Sequence, residues 1–251
     1  MRRLGRLLFK FLMVAVLLPV LVGAFQAYAH GWPSSWRTAN WASSGLLPDA
    51  AAIPGPRVII LAARTGNWKS IFAEHMAIVL KPEGAAEWTR YDVVGWGKPV
   101  RRNAYVADAF WFGNRPYVVK EIVGAAAAAL IPRVEASIAA YPYSGRGTYA
   151  VWPGPNSNSF VAWVVRNTEG FYAELPPTAV GKDFLGPGLG LASAASRTGY
   201  VVSLWGTIGI TLALREGLEV NFFGNGIGID PEELAVKLPS LGKLSLLDLF
   251  G

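Results

Sequence analysis

The chain contains no cysteine, which excludes a thiol nucleophile, a disulfide framework and any thiolate-bound metal. Histidine is nearly absent: only His30 and His75 occur. A conventional zinc site would therefore need carboxylates from scattered positions, and neither a metal nor another cofactor is expected. Basic charge is also scarce once it is located. Of the formal net charge of +6, Arg2, Arg3, Arg6 and Lys10 supply four units, and residues 1–29 hold no acid. The remainder shows no basic stripe with interleaved aromatics, and Arg101-Arg102 is an isolated pair, so nucleic acid is not an expected partner. No internal repeat or low-complexity tract appears.

Apolar residues are plentiful, at 52% of 251 residues, enough to bury one sizeable core. Three segments follow: residues 1–29 as a membrane anchor or signal peptide, residues 30–56 as a Trp-rich juxtamembrane segment and linker, and residues 57–251 as a single α+β domain. Residues 11–25 are apolar behind a basic start and ahead of Ala27-Tyr28-Ala29, the three parts of a secretory signal. The run extends from Leu7 or Leu8 to Ala29 if Lys10 snorkels, long enough to cross about 30 Å of hydrocarbon. Trp32, Trp36 and Trp41 follow at once, as tryptophans do at a membrane interface, which favours an uncleaved anchor. The positive-inside rule then keeps the start in the cytoplasm. This predicts a single-pass inner-membrane protein whose body lies in the periplasm, with the membrane as one partner.

Residues 42–56 are rich in Pro, Gly and Ala, and read as linker. Residues 57–63, 71–81 and 87–96 form three apolar segments separated by turn residues, which predicts an antiparallel meander over 57–97. An Ala-rich stretch over 119–140 predicts a helix interrupted or bent at Pro132, stopped by Tyr141-Pro-Tyr-Ser-Gly145. Residues 160–166 predict a short buried helix, and 175–190 read as loop. In residues 200–214 apolar side chains recur at even positions and Ser203, Thr207 and Thr211 at odd ones, a period of two that predicts one long strand. Arg215-Glu-Gly217 turns it into a partner over 218–223. From Asp230 on, a short capped helix is expected.

The most informative motif is Trp152-Pro-Gly-Pro-Asn-Ser-Asn-Ser-Phe160, a rigid turn that delivers Ser157 and Ser159 to the start of an apolar helix. A nucleophile there faces unpaired N–H groups and the positive end of the helix dipole, which together stabilise an oxyanion. Asn156 and Ser157 suit an N-cap equally well. His75, on an apolar strand, is the histidine available as a general base, and burial would keep it neutral. Arg90, Tyr91 and Asp92 occupy the next strand, where Asp92 is the best chemical match for orienting the imidazole. The alternative roles are a hydrogen-bonded structural histidine and a solvated strand face. Lys182 and Asp183 form a further pair in a glycine-bounded loop, readable as a surface ion pair or as binding residues.

Histidine on one strand, a polar group on the next, a long helix, Tyr-Pro-Tyr, then a polar residue opening a buried helix: this order resembles the permuted papain-like families. In the lecithin-retinol acyltransferase group the nucleophile motif is Asn-Cys-Glu-His-Phe-Val, to which Asn156-Ser-Asn-Ser-Phe-Val161 is similar with serine at the cysteine position. Trp152 to Phe160, Leu175-Pro-Pro-Thr-Ala179 and Gly181-Lys-Asp183 more closely resemble the signature of an uncharacterised proteobacterial family of predicted membrane proteins, which brings no activity with it. The papain-like resemblance implies a permuted papain-like α+β fold, with an antiparallel sheet packed against helices. It also implies a Ser/His hydrolase or acyltransferase acting on amide or ester bonds. Ser157 would attack, His75 act as base and Asp92 orient it, with Asn156, Asn158, Ser159, Tyr91, Lys182 and Asp183 near the substrate. The competing expectation is a non-catalytic envelope module that binds a peptide, glycan or lipid.

Overall fold

The computed structural model describes residues 2–33 and 35–247. Helix α1, Arg2–His30, is the long apolar run, continuous through Pro19. Its residues Met13–His30 are long and apolar enough to cross a membrane, spanning about 27 Å at 1.5 Å per residue. The last turns of α1 rest on the body. A Cβ on Gly23 would collide with Ser240 Oγ, and the helix touches a 3-10 helix at Asn67–Ile71.

Next comes an antiparallel five-stranded sheet: β1 (Arg57–Arg64), β2 (Glu74–Lys81), β3 (Thr89–Val93), β4 (Val100–Arg102) and β5 (Tyr117–Val123), in the order β4-β3-β2-β1-β5. The meander expected over 57–97 is β1–β2–β3. The helix expected from residue 119 begins only at Gly124. Val118, Ile122 and Val123 are β-branched and pair as part of β5 along β1, where pleated packing suits them better than a helix. The Ala-rich remainder forms α2 (Gly124–Ala139), with Pro132 inside it. Two consecutive X-Pro bonds, at Pro153 and Pro155, are cis, and α3 (Ser157–Asn167) follows.

Because side chains alternate across a strand, the sheet has two distinct faces. Val58, Ile60, Ala62, Met76, Ile78 and Leu80 pack with α2 and α3 in the main core. Ile59, Leu61 and Val79 face the other way, beneath Leu46, Leu47 and Trp88. Ala63, on that second face, lies under Trp41, Tyr105, Trp111 and Phe112.

The second sheet is a plain antiparallel meander of seven strands: β6 (Leu189–Ser193), β7 (Gly199–Leu204), β8 (Ile208–Ala213), β9 (Gly217–Phe222), β10 (Asn225–Asp230), β11 (Ala235–Leu238) and β12 (Gly242–Ser245). Residues 200–214 are therefore two strands rather than one. The period of two is real, but Trp205-Gly206-Thr207 makes a turn, with Trp205 and Gly206 both at positive φ. The hairpin from β8 into β9 is as expected. No helix starts at Asp230: its carboxylate accepts from the N–H groups of Glu232 and Glu233, closing a turn into β11. The protein is thus α+β, with two antiparallel sheets and three α-helices among the described residues.

Candidate functional site

Neighbouring strands bring His75 and Asp92 together. Ile78 lies opposite Tyr91, so alternation puts His75 of β2 and both Arg90 and Asp92 of β3 on the face away from α2 and α3. His75 Nε2 lies 2.8 Å from Asp92 Oδ1. Arg90 grips the same carboxylate, Nε to Oδ2 at 2.8 Å and Nη2 to Oδ1 at 2.9 Å. Its remaining Nη1 donates to the carbonyls of Val106 and Ala107. Trp111 stacks on the imidazole, with ring centroids 3.5 Å apart and planes 6° apart. Trp41, expected at a membrane interface, instead packs beside Tyr105 and Trp111.

Burial decides the charge states. Removing His75 from water lowers its pKa below 6.5, an effect that outweighs the pull of Asp92 in the other direction. Burial alone would raise the Asp92 pKa, but the Arg90 guanidinium and the His75 hydrogen bond bring it down to about 2. Asp92 is then an ionised acceptor, so His75 Nε2 carries the proton and Nδ1 is left as the basic nitrogen.

The helix-start motif is used mostly for structure. Asn156 caps α3, its Oδ1 accepting from the N–H groups of Asn158 and Ser159, while Ser159 Oγ accepts from the Asn156 N–H to complete a capping box. Asn158 has a different task. Its Oδ1 accepts from Met76 N–H and its Nδ2 donates to Glu74 O, so one side-chain amide pairs with the β2 backbone on both sides of His75, where β3 has stopped pairing. Ser159 Oγ donates to Gly181 O at 2.7 Å.

Ser157 differs from these neighbours. It is 4% exposed, and among the described residues neither its hydroxyl nor its N–H makes a hydrogen bond. No hydrogen bond joins it to His75. Of the N–H groups at this helix start, that of Asn158 is already taken by the Asn156 cap, which leaves the Ser157 N–H as the open donor there.

Three expected binding residues lie elsewhere. Tyr91 faces the helices and donates to Glu135 of α2. Lys182 and Asp183 are no surface pair: they are 7% and 3% exposed. Lys182 Nζ reaches Glu219 Oε1 at 2.6 Å and Asp183 Oδ2 at 3.3 Å. Burial opposes its charge, yet Asp183 and Glu219 hold its pKa above the usual lysine value. Fully buried Lys237 joins the network through Glu219 Oε2 and Glu174.

A cavity of about 590 Å³ opens between the two sheets, with Glu74, Tyr117, Glu174, Arg215 and Lys243 in its wall; His75, Asp92 and Ser157 do not line it. Glu174, Asp230 and Glu233 are close enough together to hold a cation. Lys243 Nζ sits on all three at 2.7, 3.4 and 2.8 Å, so an ammonium already occupies that position.

Arg90 was legible as a partner of Asp92, since residues two apart share a strand face. Trp111 carried no signal, because its position against His75 depends on an irregular loop.

Residues 56–184, just over half of the chain, match the family described as "Protein of unknown function (DUF3750)". The chain belongs to that family. The match covers the five-stranded sheet, both body helices and the Lys182-Asp183 loop, and ends before the seven-stranded sheet. No curated protein and no solved structure matches the chain.

Proposed function

We propose that the protein is a membrane-anchored Ser/His hydrolase or acyltransferase that acts on amide or ester bonds of envelope peptides, glycans or lipids, with α1 crossing the inner membrane once and the body in the periplasm. The observation that carries this reading is a neutral, Asp92-held His75, tied through Asn158 to the helix start, where neither His75 Nδ1 nor Ser157 Oγ has a hydrogen-bond partner among the described residues. Strand histidine, strand carboxylate and helix-start hydroxyl follow the order of the permuted papain-like resemblance. In the reaction Ser157 Oγ attacks the carbonyl carbon while His75 Nδ1 takes its proton. The oxyanion is met by the Ser157 N–H and the positive end of α3. Collapse expels the amine or alcohol, which receives the proton from Nδ1, and water or an acyl acceptor then releases the acyl group from Ser157. Asp92 keeps Nε2 protonated and stabilises the imidazolium as it forms.

A fluorophosphonate probe tests this. It is expected to label Ser157 and not Ser159, and His75→Ala is expected to abolish labelling while the protein stays folded. A folded wild-type protein without a Ser157 adduct would sink the enzyme reading. The second reading is a non-catalytic envelope module. It is favoured by the absence of a Ser157–His75 hydrogen bond and by the structural use of Asn156, Asn158 and Ser159. For the topology, a reporter fused at Gly251 should read as periplasmic, and a cytoplasmic signal would refute the single span.

A further inference from the structure

The seven-stranded sheet is built inside out. Its inward face carries Ser203, Thr211, Glu219, Asn221 and Lys237, all buried. Its outward face is apolar over its whole height: Leu191, Val202, Ile210, Leu212, Val220 and Phe222 are 43–70% exposed. Seven strands of about six residues make a face on the order of 600 Å², at the top of the range that a monomer leaves bare in one patch.

The course of the meander shows what covers it. The turns after β7, β9 and β11 all lie at one end of the sheet. The first two present Trp205 and Phe223, each just over half exposed, and Trp152 stacks on Phe223. The third is the Ser240 turn against which Gly23 of α1 packs, and α1 also touches β11. Gly23 to His30 form the outer third of the apolar run, so the end of the sheet that meets them sits at the depth of the outer leaflet. Trp68, 62% exposed, belongs to the 3-10 helix that packs on the same turns of α1. The opposite end of the sheet carries exposed Arg197 and Arg215 together with exposed Glu232 and Glu233. Apolar turns at one end, an aliphatic face and charged side chains at the other suit a surface that inserts its apolar end and leaves its charges among the headgroups.

We propose that the outward face of the seven-stranded sheet is a lipid-docking surface, seated in the outer leaflet beside α1 with the Trp205 and Phe223 turns deepest. This rests on the reading of α1 as a membrane anchor. The absence of cysteine makes it testable on the full chain. Nitroxide labels at Trp205→Cys, Ile210→Cys and Leu212→Cys, in liposomes of phosphatidylethanolamine and phosphatidylglycerol, report collision with oxygen against collision with a water-soluble nickel chelate. Leu18→Cys marks α1. Glu83→Cys lies at the far end of β2 from α1 and serves as the aqueous reference. The expected oxygen-to-nickel ratio is several-fold above the reference at all three sheet positions, and highest at Trp205. A lipid-like ratio at Leu18 with a reference-like ratio on the sheet overturns the docking surface and leaves the anchor standing. A reference-like ratio at Leu18 overturns both. Short label-to-label distances between molecules at Ile210, with low collision for both reagents, would show that a second copy covers the face and would also overturn the proposal.

Discussion

The two sheets solve the burial problem in opposite ways. The five-stranded sheet buries aliphatic side chains on both faces of β1 and β2, and takes His75 out of water toward its neutral form beside the buried Arg90–Asp92 ion pair. The seven-stranded sheet turns its aliphatic residues outward and covers an ion network of Lys182, Lys237, Asp183 and Glu219 on its buried side. Neutralisation suits an imidazole, whose pKa is already near neutrality. Lysine and carboxylate start too far from neutrality for that, and each finds a counter-charge within hydrogen-bond distance. The first sheet is thus held mainly by apolar packing, with the Arg90–Asp92 pair beside its imidazole, and the second by polar pairing on its buried side, which leaves its apolar side chains free for another medium.

The sharpest way to break this contrast is Glu219→Ala. It takes one of two carboxylate partners from each of two buried ammonium groups, Lys182 and Lys237, and should destabilise the detergent-solubilised protein by about 3 kcal/mol in urea unfolding. A loss below about 1 kcal/mol would mean that water reaches the network. Next in size is a matched pair on the two sheets. Ile78→Ala, in the main core, should cost about 2–4 kcal/mol, whereas Ile210→Ala, half-exposed on the outward face, should change stability by no more than about 0.5 kcal/mol in the same detergent. Equal losses would erase the distinction.

Acid should sharpen it further. The folded pKa of Asp92 lies below its ordinary value, at about 2, so the unfolded chain binds that proton first and the stabilisation is lost as pH falls from about 4 to about 2. The shift corresponds to about 2 kcal/mol. His75 is also depressed, so its contribution is complete above about pH 6.5 and declines below it, in the same direction. Asp92→Asn should flatten the lower limb of a stability-against-pH curve; an unchanged limb would assign the acid sensitivity to other groups.

The sequence carried the first sheet well. Alternation and turn residues located β1 to β3, and a lone histidine one strand from Asp92 was enough to pair them. The Pro-Gly-Pro turn and the following Asn-Ser-Asn-Ser marked the start of α3, although the division of labour among those residues was not legible, since cap, cross-brace and free hydroxyl use the same residue types. The second sheet was harder to read. Trp205-Gly206-Thr207 lacks the Asn-Gly or Pro signals of a tight turn, so a hairpin read as one strand. Lys182, Asp183 and Glu219 are residue types that ordinarily face water, and only the tertiary fold brings them together. The alternation in β7 and β8 identified two faces but not which one is buried, because that depends on a partner elsewhere in the chain.

The claim on which the functional account depends most is that the first sheet holds a neutral, oriented base. Nitrogen-15 NMR of the imidazoles is the direct measurement, with only two histidines in the chain and His30→Gln to assign them. The account predicts that His75 at pH 7 is neutral, protonated at Nε2 and bare at Nδ1, with a midpoint below 6.5. A charged His75 at pH 7, or a proton on Nδ1, would contradict it.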